Sequence, residues 1–476
     1  MGASIRKITE PSRSFLSKDR DLWSGAIPAP SRTGIRLDDG SRVGVVGGGP
    51  AGALFAFFFL EMSRRAGLDA RVDIFERRDF SAIGPAGCNM CGGIISESLV
   101  QTLAVEGINL PPDVVERGID SYIMHFDEGR VRIDPPGHEK RIAAVHRGAG
   151  PKGMKESKWR SFDGTLLDRA RAAGANLVKG SVDEITIADG RPRVRTKDGK
   201  TETYDLLVVA TGVNTPSLKL FEQLPIAYRQ PRTTKTYICE FYLGQDAVGK
   251  YLGSSMHVFL LHIPRLEFAA LVPKGDYVTL CLLGREIDDR LVRSFIDSAE
   301  VRSCLPPGWE PPTDCCHCGP KINIRTAKRP FGDRFVFIGD AGTSRLYKDG
   351  IGAAYRTAKA AATTAVFQGI SNASFNRYFW PVCRSLELDN RIGKLIFTIT
   401  RQIQKNAHDR RGILRMVSRE QSDGQSKHMS SVLWDTFTGS APYSDIFLRT
   451  LHPGFLSHLA WQVLVGYFSF DQSDYR

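Results

Sequence analysis

The stretch RVGVVGGGPAGALFAFFFLEMSRRAGLDARVDIFERR, Arg42 to Arg78, carries the reading of the whole chain. Arg42 to Val46 is a short apolar run of the kind that forms a buried strand. Gly47, Gly49 and Gly52 follow in G-x-G-x-x-G spacing, and a long apolar run opens at once. Arg71 to Phe75 reads as the next strand, ending at Glu76. Gly47 suits the tight turn, Gly49 lets backbone approach a pyrophosphate at the helix N-terminus, and Gly52 lets helix and strand pack closely. Glu76 stands where an acid can accept hydrogen bonds from a ribose, with Arg77 beside it. A lone glycine triplet is a weak signal. Strand, triplet, helix, strand and terminal acid in register predict a dinucleotide-binding βαβ unit.

Two later stretches choose the dinucleotide. DRFVFIGDAG, Asp333 to Gly342, is an apolar strand running into Gly339-Asp340. It resembles the second FAD fingerprint of flavoproteins, in which the aspartate meets the ribityl or pyrophosphate region. YKDGIGAAYRTAKAAATTAVF, Tyr347 to Phe367, is a glycine-rich turn opening a small-residue helix. Gly350, Ile351 and Gly352 would bring that N-terminus against the flavin, where backbone N–H groups favour negative charge. YDLLVVATGVN adds a third buried strand, ending at Thr211-Gly212. Together the three elements predict FAD.

GCNMCGGIIS, Gly87 to Ser96, sets two thiols beside adjacent glycines. A zinc clip, a redox dithiol with Cys88 and a cofactor-contact loop all fit the letters. DCCHCGPKINI adds Cys315, Cys316 and Cys318, but C-x-C spacing is not a strong metal signature. No metal is assigned, and none of the ten histidines shows ligand spacing.

At this point the chain resembles the geranylgeranyl reductase group of FAD-dependent oxidoreductases, relatives of the aromatic-hydroxylase flavoproteins. The resemblance covers roughly residues 42–370. In that group a Cys-Gly-Gly loop follows the second strand, matching Cys91-Gly92-Gly93. An Arg before a Phe-Asp helix matches Arg147 and Phe162-Asp163, and Val182 would meet the adenine through its backbone. A Pro-x-Gly pair of strands matches Pro273 and Gly275 in LEFAALVPKGDYVTLCLLG. The resemblance implies that Cys91 faces flavin or substrate, and that Gly92 and Gly93 admit the isoalloxazine. The chain departs from the pattern in its Gly- and Lys-rich stretch GAGPKGMKESKWRS. It departs again at Ala269, Ala270 and Leu271, where relatives have aromatics, and at Ala-Thr-Gly in place of Ala-Asp-Gly. These departures bear on substrate rather than on FAD.

The expected fold class is α/β: a Rossmann-type FAD-binding domain, an inserted antiparallel-sheet substrate domain and a helical C-terminal region. Residues 1–40, rich in Ser, Arg, Pro and Asp, read as a poorly ordered segment. The FAD-binding domain takes 41–224 and 331–375, and the substrate domain takes 225–330. The helical region takes 376–476, where Ile392, Leu395, Ile396, Ile399 and Ile403 recur at helical spacing. Arg401, Lys405, Arg410, Arg411, Arg415 and Arg419 form a basic run, and FLSHLAWQVLVGYFSF is an aromatic, amphipathic end. The two readings are a helical cap with a solvated basic face and a peripheral membrane surface.

Composition fits this picture. The chain has 476 residues, 42% apolar and 24% charged, the proportions of a globular protein of two or three domains. A net charge of +12 favours anionic partners, but there is no nucleic-acid-binding signature. Nine cysteines are too few for a disulfide scaffold, and MGASIRKITE lacks the apolar core of a signal peptide. The expected place is therefore the cytoplasm, with or without peripheral membrane contact. The run AGALFAFFFLEM is too short to span a bilayer. The activity implied by the resemblance is reduction of carbon–carbon double bonds in an isoprenoid or other apolar lipid, with NAD(P)H or ferredoxin as electron donor. A monooxygenase acting on an aromatic or lipid substrate and flavin-mediated electron transfer to a quinone are the alternatives. Oligomeric state is not legible.

Overall fold

In the computed structural model the described residues are 34–88, 90–135, 142–312, 315–423 and 428–468. The segment 1–33, most of the stretch expected to be poorly ordered, lies outside them. The glycine-rich stretch forms the expected unit: strand Ser41–Val46, helix Pro50–Ala66 and strand Ala70–Glu76. The two strands pair in parallel, Val43 opposite Val72 and Val45 opposite Ile74. Their side chains are buried because helices cover the sheet, which explains an unbroken apolar run instead of alternation.

This first sheet has six strands. In spatial order they are Phe331–Gly332, Phe335–Phe337, Leu206–Val209, Ser41–Val46, Ala70–Glu76 and Asn176–Lys179. All neighbours run parallel except the first pair, a short antiparallel hairpin at the edge. Helices Pro50–Ala66 and Gly350–Phe367 pack along each other, with Phe58 edge-on to Tyr355 at 5.6 Å. A Cβ on Gly52 would lie 1.9 Å from the Gly47 carbonyl oxygen, so the turn closes only with glycine there.

The second sheet has seven strands, in the order Cys316–Cys318, Tyr237–Tyr242, Tyr277–Gly284, Leu266–Lys274, Ser255–Phe259, Ser121–Phe126 and Gly129–Ile133. Its neighbours are antiparallel except for the pair Ser255–Phe259 and Ser121–Phe126. Two of its strands thus come from 121–133, outside the 225–330 segment. The parallel step follows, because those strands arrive from an earlier part of the chain.

The C-terminal region is helical: Trp380–Lys405, Ala407–Asp423, His428–Thr438, Tyr443–Thr450 and Pro453–Phe468. Its apolar side packs on the second sheet, where Met124, Val258, Ala270 and Val272 meet Phe397, Leu414, Met416 and Trp434. Trp434 stacks on Tyr122 at 4.9 Å and donates its indole N–H to Glu97. Of the periodic residues, Ile392, Ile396 and Ile403 face this core, while Leu395 and Ile399 are exposed. No helix of the described residues is long and apolar enough to cross a membrane.

Two glycine substitutions separate these constraints. Gly52→Ala should destabilise by about 1–3 kcal/mol through overpacking. Gly249→Ala, in a short helix where a Cβ would meet nothing, should gain about 0.5–1 kcal/mol. Chemical denaturation of both variants checks the contrast; equal effects would contradict it.

Candidate cofactor and active site

The glycine turn ends in an open helix N-terminus. Gly49 is the N-cap of Pro50–Ala66, Pro follows it, and no side chain caps the first turn. By contrast, Ser96, Ser161, Asp288 and Asp349 each cap a helix through a side-chain oxygen. An uncapped first turn leaves its N–H groups for an anion. The Glu76 carboxylate is held at the end of its strand by the N–H groups of Gly48 and Arg78, each at 2.8 Å. Arg77, the next residue, lies at the same strand end. The Gly180 N–H donates to the Glu76 carbonyl, which sets Val182 beside that end. Ala210 and Thr211 lie against Gly47, since a Cβ there would approach the Ala210 oxygen and the Thr211 nitrogen, and Gly212 follows in the chain.

A second group of expected residues converges around Arg147. Its guanidinium makes a fork with Asp163, one arm through Nε and the other at 2.9 Å from Nη2. The Arg147 carbonyl accepts from Ser161, the N-cap of helix Phe162–Ala172. Burial opposes the Arg147 charge, but Asp163 and the Cys91 thiol raise its proton affinity further. Burial in turn raises Asp340, against the pull of Ser344 and Arg147. Cys91 and Asp340 thus both lie within electrostatic reach of Arg147. Gly339 donates to Thr357, and Asn323 to the Asp340 carbonyl, fixing that turn.

At the start of Gly350–Phe367, the Asp349 carboxylate already accepts from the Gly352 N–H at 3.1 Å. Gly350 and Ile351 keep first-turn N–H groups that lack an intrahelical carbonyl. Arg345 anchors this turn, contacting Asp349 at 3.0 Å, Asp389 at 3.3 Å and the Gly439 carbonyl at 3.2 Å. Lys348 is held by the Asp435 and Ala441 carbonyls, and burial lowers it to about 7. The turn is thus tied to the C-terminal helices.

The Cys91-Gly92-Gly93 loop lies on the second sheet. A Cβ on Gly93, whose φ is +71°, would stand 2.0 Å from the Val145 oxygen and 2.8 Å from Lys274 Nζ. One on Gly92 would meet Cys281 Sγ at 3.0 Å. Intramolecular packing is therefore a sufficient reason for both glycines. Of the two thiols of the C-x-x-C, Cys91 lies beside Arg147 and Cys88 near Glu240, Lys274 and Cys316, and Cys318 is near both. Burial raises Cys88, and raises Cys281 and Cys318 to about 12. Among the described residues these thiols form no convergent metal cluster, and the cysteines are free.

Beneath the loop lies a buried ionic network that sequence reading missed. Lys274 Nζ is 2.8 Å from Glu240 Oε1 and 1% exposed. Thr279 donates to the same oxygen at 2.8 Å. His146 lies 3.5 Å from Glu240 and 3.0 Å from Glu116. Burial works against every charge here, yet the partners win: Glu240 is held below the usual carboxylate range, Lys274 and His146 above their usual values. The signal was present, since Glu240 in TYICEFYLG and Lys274 in LEFAALVPK interrupt apolar strands, and such charges are almost never fully buried unless paired.

The fold recurs in solved structures. A geranylgeranyl bacteriochlorophyll reductase-like protein from Thermoplasma acidophilum matches with a TM-score of 0.60 at 14% identity, over 89% of this chain and 99% of its own. A flavoprotein/dehydrogenase from Cytophaga hutchinsonii matches at 0.58 and 14%, over 90% and 100%. A peptidyl tryptophan dihydroxylase essential for tryptophylquinone cofactor biogenesis matches at 0.54 and 18%, over 77% and 76%. These likenesses establish the fold, which is shared with a protein of the kind that the sequence resembles. No protein-family model and no curated protein matches the chain.

The raised His146 has a consequence for stability. Its ordinary value is about 6.5. The native state binds its proton more tightly than the unfolded chain, so its stabilisation is full below about pH 6.5 and is lost as pH rises through the raised native value. Denaturant midpoints taken from pH 6 to 9 should fall with pH, and the slope should flatten in His146→Gln. A parallel pair of curves would contradict the assignment.

Proposed function

We propose that the chain is an FAD-dependent oxidoreductase that reduces carbon–carbon double bonds of an isoprenoid or other apolar lipid. The observation that carries this reading is the convergence of the uncapped glycine turn, the Cys91–Arg147–Asp340 group and the buried charges under the Cys-Gly-Gly loop. The residues fit the cofactor. Gly47, Gly49 and Gly52 leave a bare cradle for the pyrophosphate, Glu76 and Arg77 stand at the ribose end, and Val182 stands beside them. Thr211, Gly212, Gly339 and Asp340 line the path toward Gly350, Ile351 and Gly352. Bound there, FAD would supply two-electron chemistry, recharged by NAD(P)H or ferredoxin.

The chain's own part is orientation, dryness and proton control. Arg147, locked by Asp163, presents a fixed cation beside Cys91. Saturating a double bond adds a hydride and a proton. His146 holds a proton between Glu116 and Glu240, and Lys274 keeps Glu240 ionised, so a proton reserve lies directly under the loop.

A membrane contact belongs to the same proposal. Leu448, Leu451, Leu456, Trp461 and Leu464 are exposed on the last helices. Part of the basic run is spent internally, because Arg401 pairs with Glu267 and Arg410 with Glu128.

Gly49→Val should give folded, colourless protein, read by flavin absorbance after purification. Lipid mass spectrometry of cells with and without the protein should show differences of two hydrogens per bond. Inserted oxygen would favour a monooxygenase, and quinone-dependent reoxidation without lipid saturation would favour electron transfer. In vesicle flotation, binding to anionic membranes should weaken with salt, each basic residue near the surface being worth about 1 kcal/mol. Trp461→Glu should reduce it; no binding at low salt would refute the membrane contact.

A further inference from the structure

His125, His257 and Cys304 meet on the far side of the second sheet, away from the Cys-Gly-Gly loop. His125 Nε2 is 3.0 Å from His257 Nδ1, His257 Nδ1 is 3.2 Å from Cys304 Sγ, and Cys304 Sγ is 3.7 Å from His125 Nε2. The residues are 2%, 1% and 1% exposed. They come from three places: the strands Ser121–Phe126 and Ser255–Phe259, and the turn after helix Ala299–Arg302. The two strands are neighbours, with His125 opposite Phe259, so His125 and His257 sit diagonally on one face. Phe259 stacks on His125 at 4.5 Å and holds its ring in plane.

We propose that His125, His257 and Cys304 form a zinc site of two imidazoles and one thiolate. Zinc bonds of about 2.0–2.1 Å to nitrogen and about 2.3 Å to sulfur place tetrahedral nitrogens about 3.3 Å apart, and nitrogen and sulfur about 3.6 Å. The observed triangle is close to that shape. Imidazole with thiolate suits zinc among divalent ions.

Hydrogen bonding alone cannot use all three contacts at once. An imidazole nitrogen has one in-plane lone pair, so His257 Nδ1 accepts from His125 or from the thiol but not from both. If His125 donates, the Cys304 hydrogen can turn to the Glu300 carbonyl at 3.3 Å. A cation at the centre uses all three lone pairs at once.

The fourth position has a source. A cavity of about 700 Å³ is bordered by His257, Ser255, Ser303 and Arg130, and not by His125 or Cys304, so a water completing the tetrahedron would enter past His257. Three protein ligands and one open position is the pattern of a zinc that binds a further small ligand. Arg130, lining that cavity, favours the thiolate and an anionic fourth ligand, while it opposes positive charge on the two imidazoles, so the thiolate has to offset it.

The experiment uses the full chain with its flavin. Elemental analysis of protein purified without chelator should find about one zinc per chain. After chelator treatment, cobalt(II) should restore one equivalent, with tetrahedral d–d bands and a thiolate-to-cobalt charge-transfer band. Cys304→Ser should abolish the charge-transfer band and weaken zinc binding by more than about 100-fold, beyond the about 10–100-fold typical of losing an outer partner. Flavin absorbance, unaffected by that change, reports that the variant is folded. His257→Gln, a second route if Cys304→Ser fails to fold, should also lose the metal. No bound metal, and no charge-transfer band on cobalt titration of the wild-type chain, would overturn the site in favour of the hydrogen-bonded cluster. Copper(I) taken up in preference to zinc would overturn the choice of metal. None of these readings depends on the substrate or on catalytic turnover.

Discussion

The buried pair of Lys274 and Glu240 is the constraint around which the candidate site is arranged. Lys274 ends one strand of the second sheet, and Glu240 lies on another. Their partners, His146 and Glu116, come from the segment that leads from the Cys-Gly-Gly loop into the helix behind Arg147. Taking such charges out of water costs several kcal/mol per ion, and losing one partner of a buried pair typically costs about 3–5 kcal/mol. The pair therefore fixes where the loop can rest. Gly93 has no room for a side chain above Lys274, Val145 closes the other side, and Cys91 is left beside Arg147.

The glycine turn was legible because everything it needs is local. Strand, bare turn, helix and terminal acid follow within one stretch, and the close approach of Gly52 to Gly47 is a property of that stretch alone. The same holds for Ser161 capping the helix that carries Asp163. The buried charges were not legible as a group, because their partners lie far apart in sequence: 116, 146, 240 and 274. Single charges in apolar strands were visible as anomalies, but only the strand register shows that Glu240 and Thr279 are opposite. Helical periodicity in 376–476 was readable, whereas the buried face was not, and Leu395 and Ile399 turned out exposed. The strands from 121–133 joined the second sheet through a parallel pairing that no local signal announces.

The C-x-x-C illustrates how one spacing can serve three chemistries until the surroundings decide. A dithiol needs both sulfurs to face each other, and a zinc clip needs four ligand atoms to converge. Here Cys91 has a guanidinium beside it, and both Cys88 and Cys91 lie near Cys318. The glycines that suggested a cofactor approach also satisfy the chain's own packing, so their presence does not by itself require a flavin. The turn at Gly49 is the stronger sign, because bare glycine backbone, a helix N-terminus and the Glu76 strand end coincide there; the missing cap alone is not distinctive, since helices such as Gln245–Tyr251 and Tyr443–Thr450 lack one too.

Alternation along the strands of the second sheet links the two chemistries. Successive side chains point to opposite faces. Met124, Val258, Ala270, Val272, Thr279 and Glu240 share the face that meets the C-terminal helices and the Cys-Gly-Gly loop. His125, His257, Leu271 and Leu280 share the other. A cation held by His125 and His257 would pin the parallel step in the sheet from behind, where Ser121 and Ser255 already share a hydrogen bond at 2.7 Å. Among the described residues, that step is the one place where an early segment of the chain enters the later sheet. Next to it run the strand that ends in Lys274 and the packing of Tyr122 on Trp434. Rigidity supplied at the back would therefore be felt at the front, through neighbouring strands rather than through any direct contact with the site.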